Sequence, residues 1–90
     1  MARIREVLAV FRGGRPLSVA AVAAEIEEEF NETSRVVRLL WARGHLDAAG
    51  LRGLEWRRHL KPGEKIRELE FTITDYGRRK LTWWESNDGA

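Results

Sequence analysis

The 90-residue sequence contains no cysteine, and it has only two prolines and one methionine. A chain without cysteine can form neither a disulfide bond nor a thiolate metal site, so its stability depends on the packing of apolar side chains. This composition is typical of proteins inside the cell. We therefore predict a cytoplasmic protein that uses no metal ion and no cofactor.

Long apolar runs are also missing from the sequence. Charged residues make up 33% of it, and no run approaches the roughly 18 consecutive apolar residues that a transmembrane helix requires. The N-terminal segment is not a secretory signal, because Arg3, Arg5 and Glu6 interrupt its apolar positions. We expect no association with a membrane. Because a chain of this length cannot form two cores, we predict one domain over residues 1–85 and a frayed tail over residues 86–90.

The first half of the chain has apolar residues at helical spacing in three segments. This spacing predicts a first helix over residues 2–12 and a second over residues 19–29, which Ser18 caps. A third helix follows the capping residue Asn31 and ends at Gly44. Between the first two helices, a proline favours a short extended segment. The expected core is therefore a packed set of three helices.

The second half of the chain is predicted to form a β-hairpin. Residues 54–60 and 66–74 have strand character, and residues 61–64 place proline and glycine at the centre of a type II turn. This turn would set Leu54 opposite Phe71 in the paired strands. The hairpin would carry basic residues on both sides of its turn.

Two further segments complete the predicted order of elements. Residues 46–53 are rich in glycine and alanine and are predicted to be an irregular connection. A last short helix is expected to begin at Thr74-Asp75 and to end near Trp84. The resulting order, α-β-α-α-β-β-α, indicates a small α+β fold.

This order of elements resembles the winged helix-turn-helix family. Residues 34–46, SRVVRLLWARGHL, are similar to the family's recognition helix, and residues 71–81, FTITDYGRRKL, are similar to the segment that leaves the wing and enters the last helix. The resemblance implies a three-helix core, a β-hairpin wing and a short C-terminal helix. It also implies sequence-specific binding of double-stranded DNA, with helix three in the major groove and the wing on the backbone. We therefore expect a small transcriptional regulator.

Charge is unevenly distributed along the chain, although the net charge is only +2. Residues 25–32 contain five acidic and no basic residues, whereas residues 33–67 contain nine basic and three acidic residues. Helix three and the predicted hairpin both lie within or overlap this basic window. A basic surface binds nucleic acid because it releases counterions from the phosphates. The distribution of charge therefore favours DNA binding.

The candidate DNA contacts are polar and basic residues of helix three and the hairpin. They are Ser34, Arg35 and Arg38 in the helix, and Arg57, Arg58, Lys61, Lys65 and Arg67 around the hairpin turn. Helical spacing predicts that Ser34, Arg35 and Arg38 lie on the outer face of the helix. Arginine commonly reads guanine edges in the major groove. The sequence does not distinguish which arginine contacts a base and which contacts a phosphate.

The acidic segment at residues 25–32 leaves a second interpretation open. Acidic side chains beside a DNA-binding helix repel phosphate, so the domain could instead be a winged-helix module that binds protein and not DNA. An enzyme is not expected, because His45 and His59 are the only histidines and no nucleophile or phosphate-binding loop accompanies them.

The C-terminal helix carries two adjacent tryptophans that one helix face cannot bury together. Leu81 and Trp84 are predicted on one side, and Trp83 about 100° away beside Tyr76. At least one tryptophan is therefore expected at the surface, where an exposed apolar patch usually marks a contact. We predict a homodimer through Leu81, Trp83 and Trp84. The alternative is that Trp83 packs against the first helix within the monomer.

Overall fold

The computed structural model describes residues 3–49, residue 60 and residues 65–88, which form a small α+β fold. The α-helices are α1 (Ile4–Val10), α2 (Val19–Ile26), α3 (Phe30–Ala42) and α4 (Asp75–Asp88). The strands are β1 (Leu17–Ser18), β2 (Leu46–Ala49) and β3 (Glu70–Ile73), and short 3₁₀ turns span Phe11–Gly13 and Ile66–Glu68. In these described ranges, none of the helices combines the length and the apolar character needed to cross a membrane.

The core lies between the first three helices and one face of the sheet. Leu8 of α1, Val22 of α2 and Leu40 of α3 are fully buried there, at positions that the helical spacing predicts. Trp41 of α3 meets Phe71 of β3 edge to face, with ring centroids 5.1 Å apart. The predicted three-helix core is therefore confirmed, and Phe71 ties it to the sheet.

The segment between α1 and α2 also follows the prediction. The 3₁₀ turn after α1 ends at Gly14, whose φ of 81° lies in the left-handed region that glycine adopts without strain. The chain is then extended through β1. Ser18 caps α2, because its side-chain oxygen accepts a hydrogen bond from the backbone N–H of Ala21 at 3.1 Å.

The predicted boundary between the second and third helices is wrong by several residues. Helix α2 ends before Glu27, which adopts a left-handed conformation with φ of 57°. Helix α3 then begins at Phe30 with Glu29 in the N-cap position, so Asn31 is already helical and does not cap it. The apolar spacing of α2 continues through Phe30 across this break, and for this reason periodicity alone does not show where α2 stops.

The sheet differs from the predicted hairpin. Strand β3 is the central strand, and it pairs antiparallel with β1 on one side and with β2 on the other. Phe71 is therefore opposite Leu17 and Ala48, and the predicted pairing of Leu54 with Phe71 is wrong. Strand β2 comes from the segment predicted as a connection. Its sequence, LDAA, has no β-branched or aromatic residue to indicate a strand.

The predicted second hairpin strand, residues 66–74, is also shorter than expected. Its first part forms the 3₁₀ turn Ile66–Glu68, and pairing begins only at Glu70. The predicted first strand, residues 54–60, lies outside the described residues except for Leu60, which packs against the core. The predicted turn at residues 61–64 lies outside them entirely.

Helix α4 is anchored to the end of α3 through Thr74 and Gly77. The Thr74 hydroxyl lies 2.7 Å from the carbonyl oxygen of Gly44, and it accepts a hydrogen bond from the Gly77 N–H at 2.9 Å. A Cβ atom on Gly77 would lie 2.2 Å from the carbonyl oxygen of His45. The segment therefore needs glycine at this position because α4 approaches the backbone after α3 too closely for any side chain.

Helix α4 is longer than predicted. It continues to Asp88, so residues 86–88 are helical, whereas the predicted helix ends near Trp84. The Arg12 guanidinium forms an ion pair with Glu85 at 2.5 Å, and Arg78 donates a hydrogen bond to the Arg12 carbonyl at 3.0 Å. These contacts tie α4 to the end of α1. Local sequence does not contain this information, because the partner residues are far apart in the chain.

Candidate nucleic-acid interface

Basic side chains from two separate elements line one surface depression beside α3. Ile66 is buried, and this anchors the 3₁₀ turn against the core while the neighbouring Lys65 and Arg67 are exposed. The depression, which we call the basic depression, is lined by Phe30, Asn31, Ser34, Arg38, Lys65, Ile66 and Arg67. The fold thus brings helix three together with the segment that precedes β3.

The cations of this surface have no acidic partner among the described residues. Arg35, Arg38, Lys65 and Arg67 are all exposed, and none of them makes an ion pair with the described part of the chain. The guanidinium of Arg67 lies over the ring of Phe30, 5.3 Å from its centroid. Positive charge that the described residues do not neutralise is available to attract an external anion.

The structure places the predicted contacts of helix three in two different environments. Arg35 and Arg38 are exposed, as predicted. Ser34 is only 7% exposed, so its predicted place on the outer face of the helix is wrong. The residue nevertheless lines the basic depression together with Arg38, one helical turn further on.

The predicted contacts of the hairpin are only partly within the described residues. Lys65 and Arg67 are described, and both line the basic depression. Arg67 was predicted in a strand, and this placement is wrong, because the residue lies in the 3₁₀ turn. The other three, Arg57, Arg58 and Lys61, lie outside the described residues, and their predicted roles stay predictions.

An acidic residue lies at the edge of the basic depression, at the start of α3. Glu29 is exposed there, and Glu25 and Glu27 are exposed on α2 and in the turn after it. Glu29 lines a second, neighbouring depression together with Arg67. Phosphate would be repelled on this side, so an anionic partner would have to lie over α3 and the 3₁₀ turn and away from the acidic turn.

The three residues of α4 that were predicted at a dimer interface differ in how far they are buried. Leu81 is 5% exposed and belongs to the core, so its prediction as an interface residue is wrong. Trp84 is half-buried against the core and lines a groove beside α1. Trp83 is 55% exposed, which confirms that one tryptophan remains at the surface. The alternative that Trp83 packs against the first helix is wrong, because Trp84 occupies that place.

The exposed face of α4 has an aromatic character. Tyr76 is 52% exposed and precedes Trp83 by two helical turns, so the two lie on the same side of the helix. The Lys80 ammonium lies 4.8 Å from the ring centroid of Trp83 and 5.4 Å from that of Trp84. This cation covers part of the aromatic surface without burying it.

His45 is a buried titratable residue that the sequence analysis did not connect with any site. It is 3% exposed, and neither ring nitrogen has a hydrogen-bond partner within the described residues. Its ring stacks on Tyr76, with centroids 4.7 Å apart and an interplanar angle of 13°. Burial lowers the pKa of His45 below its ordinary value, and the nearby charges of Lys80 and Arg43 lower it further. No local pattern in the sequence indicates this burial.

No family model and no curated protein sequence matches this chain. Within the described ranges, no three of the His, Cys, Asp and Glu side chains are grouped as the ligands of a metal ion would be. Among the described residues, the basic depression is where the side chains of Arg38, Lys65 and Arg67 converge.

Proposed function

We propose that this protein is a winged-helix DNA-binding protein, a small transcriptional regulator that acts by occupying a site on duplex DNA. The observation that carries the proposal is the convergence of Arg38, Lys65 and Arg67 on one depression, with Arg35 beside it and, among the described residues, no acidic partner for any of the four. The order of the elements, α-β-α-α-β-β-α, supports it as well. We expect this regulator in the cytoplasm.

The dimensions of α3 suit the proposed role. Its 13 residues make a rod about 20 Å long, and the major groove, about 12 Å wide, admits an α-helix. With α3 in the groove, Lys65 and Arg67 would lie over the flanking backbone. Each phosphate that these residues neutralise would release counterions, and this release supplies the salt-dependent part of the affinity.

The test is fluorescence anisotropy of a random duplex of about 20 base pairs at about 50 mM and about 200 mM salt. With about four phosphate contacts, log K should fall against log salt with a slope near −3.6, because each contact contributes about −0.9. Absence of binding at the lower salt concentration would refute the proposal. This result would favour the second candidate, a module that binds protein. The exposed acidic residues Glu25, Glu27 and Glu29 support that candidate.

We also propose that two copies of the protein associate through the exposed aromatic face of α4. Trp83 and Tyr76 are more than half exposed, and a two-fold contact is the commonest way in which a small protein covers such a surface. A dimer would also present two copies of α3 to two half-sites on DNA. Trp84 would contribute only at the edge of the contact, because it is already half-buried.

Sedimentation equilibrium at tens of micromolar protein tests the dimer. We expect a dimer mass for the wild type and a monomer mass for Trp83→Ala, with the fold retained by circular dichroism. Thr82→Ala is the matched control, because Thr82 is an exposed neighbour on the same helix that lies away from the aromatic face. A monomer mass for the wild type would reject the dimer while leaving DNA binding by one copy possible.

A further inference from the structure

Of the two exposed arginines in the middle of α3, Arg38 lines the basic depression and Arg35 does not. At 100° per residue, Ser34 and Arg38 are about 40° apart around the helix, whereas Ser34 and Arg35 are about 100° apart. The basic depression is lined by Ser34 and Arg38, and Arg35 is not part of its lining. The two arginines therefore have different neighbours, although helical spacing predicted both of them on the outer face of α3.

Three cations and one hydroxyl surround the basic depression. Arg38 approaches it from α3, and Lys65 and Arg67 approach it from the 3₁₀ turn. A base edge offers neutral acceptors and cannot compensate three neighbouring positive charges. A phosphate group can, because it is charged and accepts several hydrogen bonds at once. The hydroxyl of Ser34 is a further donor of the kind that phosphate oxygens accept.

The 3₁₀ turn beside α3 is held against the core before any ligand binds. Burial of Ile66 holds the turn that carries Lys65 and Arg67, and the contact of Arg67 with the ring of Phe30 restricts that side chain. A pre-ordered set of donors loses less conformational entropy on binding than free side chains do. Among the described residues, none from a second element makes such a contact with Arg35, and its exposed side chain can extend into a groove.

We infer that Ser34, Arg38, Lys65 and Arg67 form a binding site for one phosphate group, and that Arg35 is the residue of α3 that reads a base edge. The assignment of Arg35 rests on the proposed DNA-binding function. The phosphate site does not, since its chemistry requires only the convergent donors. The two parts can therefore be tested separately.

The phosphate site is tested without DNA. Amide chemical shifts are followed by NMR while inorganic phosphate replaces chloride at constant ionic strength. We expect saturable shifts at residues 34, 38 and 65–67 in the wild type and in Arg35→Ala, and their loss in Arg38→Ala. Shifts that are equal in all three proteins, or that do not saturate, would overturn the phosphate site whatever the protein does with DNA.

The division of roles is tested on DNA, with a preferred site obtained by selection in vitro. Arg38→Ala should weaken binding to the preferred duplex and to the random duplex by the same factor. It should also make the salt slope shallower by about 0.9. Arg35→Ala should lower the preference for the selected site by roughly 5- to 150-fold, which corresponds to 1 to 3 kcal/mol for one bidentate base contact. The opposite pattern, with specificity lost in Arg38→Ala, would overturn the assignment.

Lysine substitutions provide the matched controls. Arg38→Lys keeps the charge at a phosphate and should retain the salt slope, whereas Arg35→Lys loses the planar fork and should lose most of the preference for the selected site. If the wild type binds no DNA at all, the proposed function fails, and the phosphate titration still decides whether the phosphate site exists.

Discussion

Arginines occur on two sides of this molecule and have different partners on each. On the α1–α4 side, Arg12 pairs with Glu85 at 2.5 Å and Arg78 donates to the carbonyl of Arg12 at 3.0 Å. At the basic depression, Arg38 and Arg67 pair with no acid among the described residues. Arginines on the first side join two helices, whereas those on the second are available to an external anion. The number of arginines in a sequence therefore says little about function until their partners are known.

The largest effect is expected where the α1–α4 side is anchored. Gly77→Ala should lower the free energy of unfolding by about 3 kcal/mol, because the new Cβ would lie 2.2 Å from the His45 carbonyl oxygen. Gly13→Ala is the control, since nothing lies within 4 Å of a Cβ there. Urea unfolding measures both. Equal stability of the two variants would show that α4 is not held at this point.

The comparison predicts that the two sets of arginines affect different properties. The triple variant Arg38→Ala, Lys65→Ala, Arg67→Ala should lower DNA affinity by more than about tenfold at low salt, because it removes all three cations of the phosphate site, and it should leave stability nearly unchanged. Arg12→Ala should lower the stability, because it removes the ion pair with Glu85, and it should leave the DNA affinity nearly unchanged. Anisotropy and urea unfolding of both proteins check this. A loss of affinity in Arg12→Ala as large as in the triple variant would contradict the division.

His45 makes stability on the α4 side depend on pH. Because its pKa in the folded protein is lowered, unfolded chains take up a proton near the ordinary value of 6.5 while folded His45 stays neutral. Its contribution is complete above that value and is lost as the pH falls toward the folded pKa. His45→Phe, which keeps an aromatic ring on Tyr76, should therefore lose less stability than the wild type between pH 8 and pH 5.

Urea unfolding at the two pH values measures this difference, and the carboxylate contributions are shared by both proteins. His59→Phe is the control for removing a histidine, and it should behave like the wild type if burial of His45 is the cause. If the pH dependence instead disappears in His59→Phe and persists in His45→Phe, the effect comes from His59, and the prediction for His45 is contradicted.

The smallest effect is expected from the ion pair itself. Glu85→Gln should lower the free energy of unfolding by only about 0.5 kcal/mol, because both side chains of the pair with Arg12 are exposed to solvent. A double-mutant cycle with Arg12→Ala isolates the coupling energy. This energy should decrease at about 1 M salt, where exposed charges are screened. A coupling that is insensitive to salt would mean that the pair is not electrostatic in origin.

Several elements could be predicted because their signals are local. The apolar spacing of α1 and α2, the capping by Ser18 and the glycines after α1 each act within a few residues. The extended segment of β1 follows from the proline before it. Burial of Leu40 and of the other apolar positions of α3 follows from helical spacing alone.

Other elements could not be predicted because their partners are distant in the chain. Strand β2 exists through its pairing with β3, since Leu46 is opposite Ile73 although the LDAA segment has little strand character of its own. The last turns of α4 are held by the ion pair of Glu85 with Arg12.

The amino-acid sequence by itself determined the helical core, the concentration of basic residues after the acidic segment and the presence of one tryptophan that the core does not bury. These properties depend on periodicity and composition, which act over short distances along the chain. Only the tertiary structure decided that Arg38 lines one depression with Lys65 and Arg67, and that Arg12 forms an ion pair with Glu85. The physical reason is that the partner of a charge is set by the packing of whole elements, which brings together residues that are far apart in sequence.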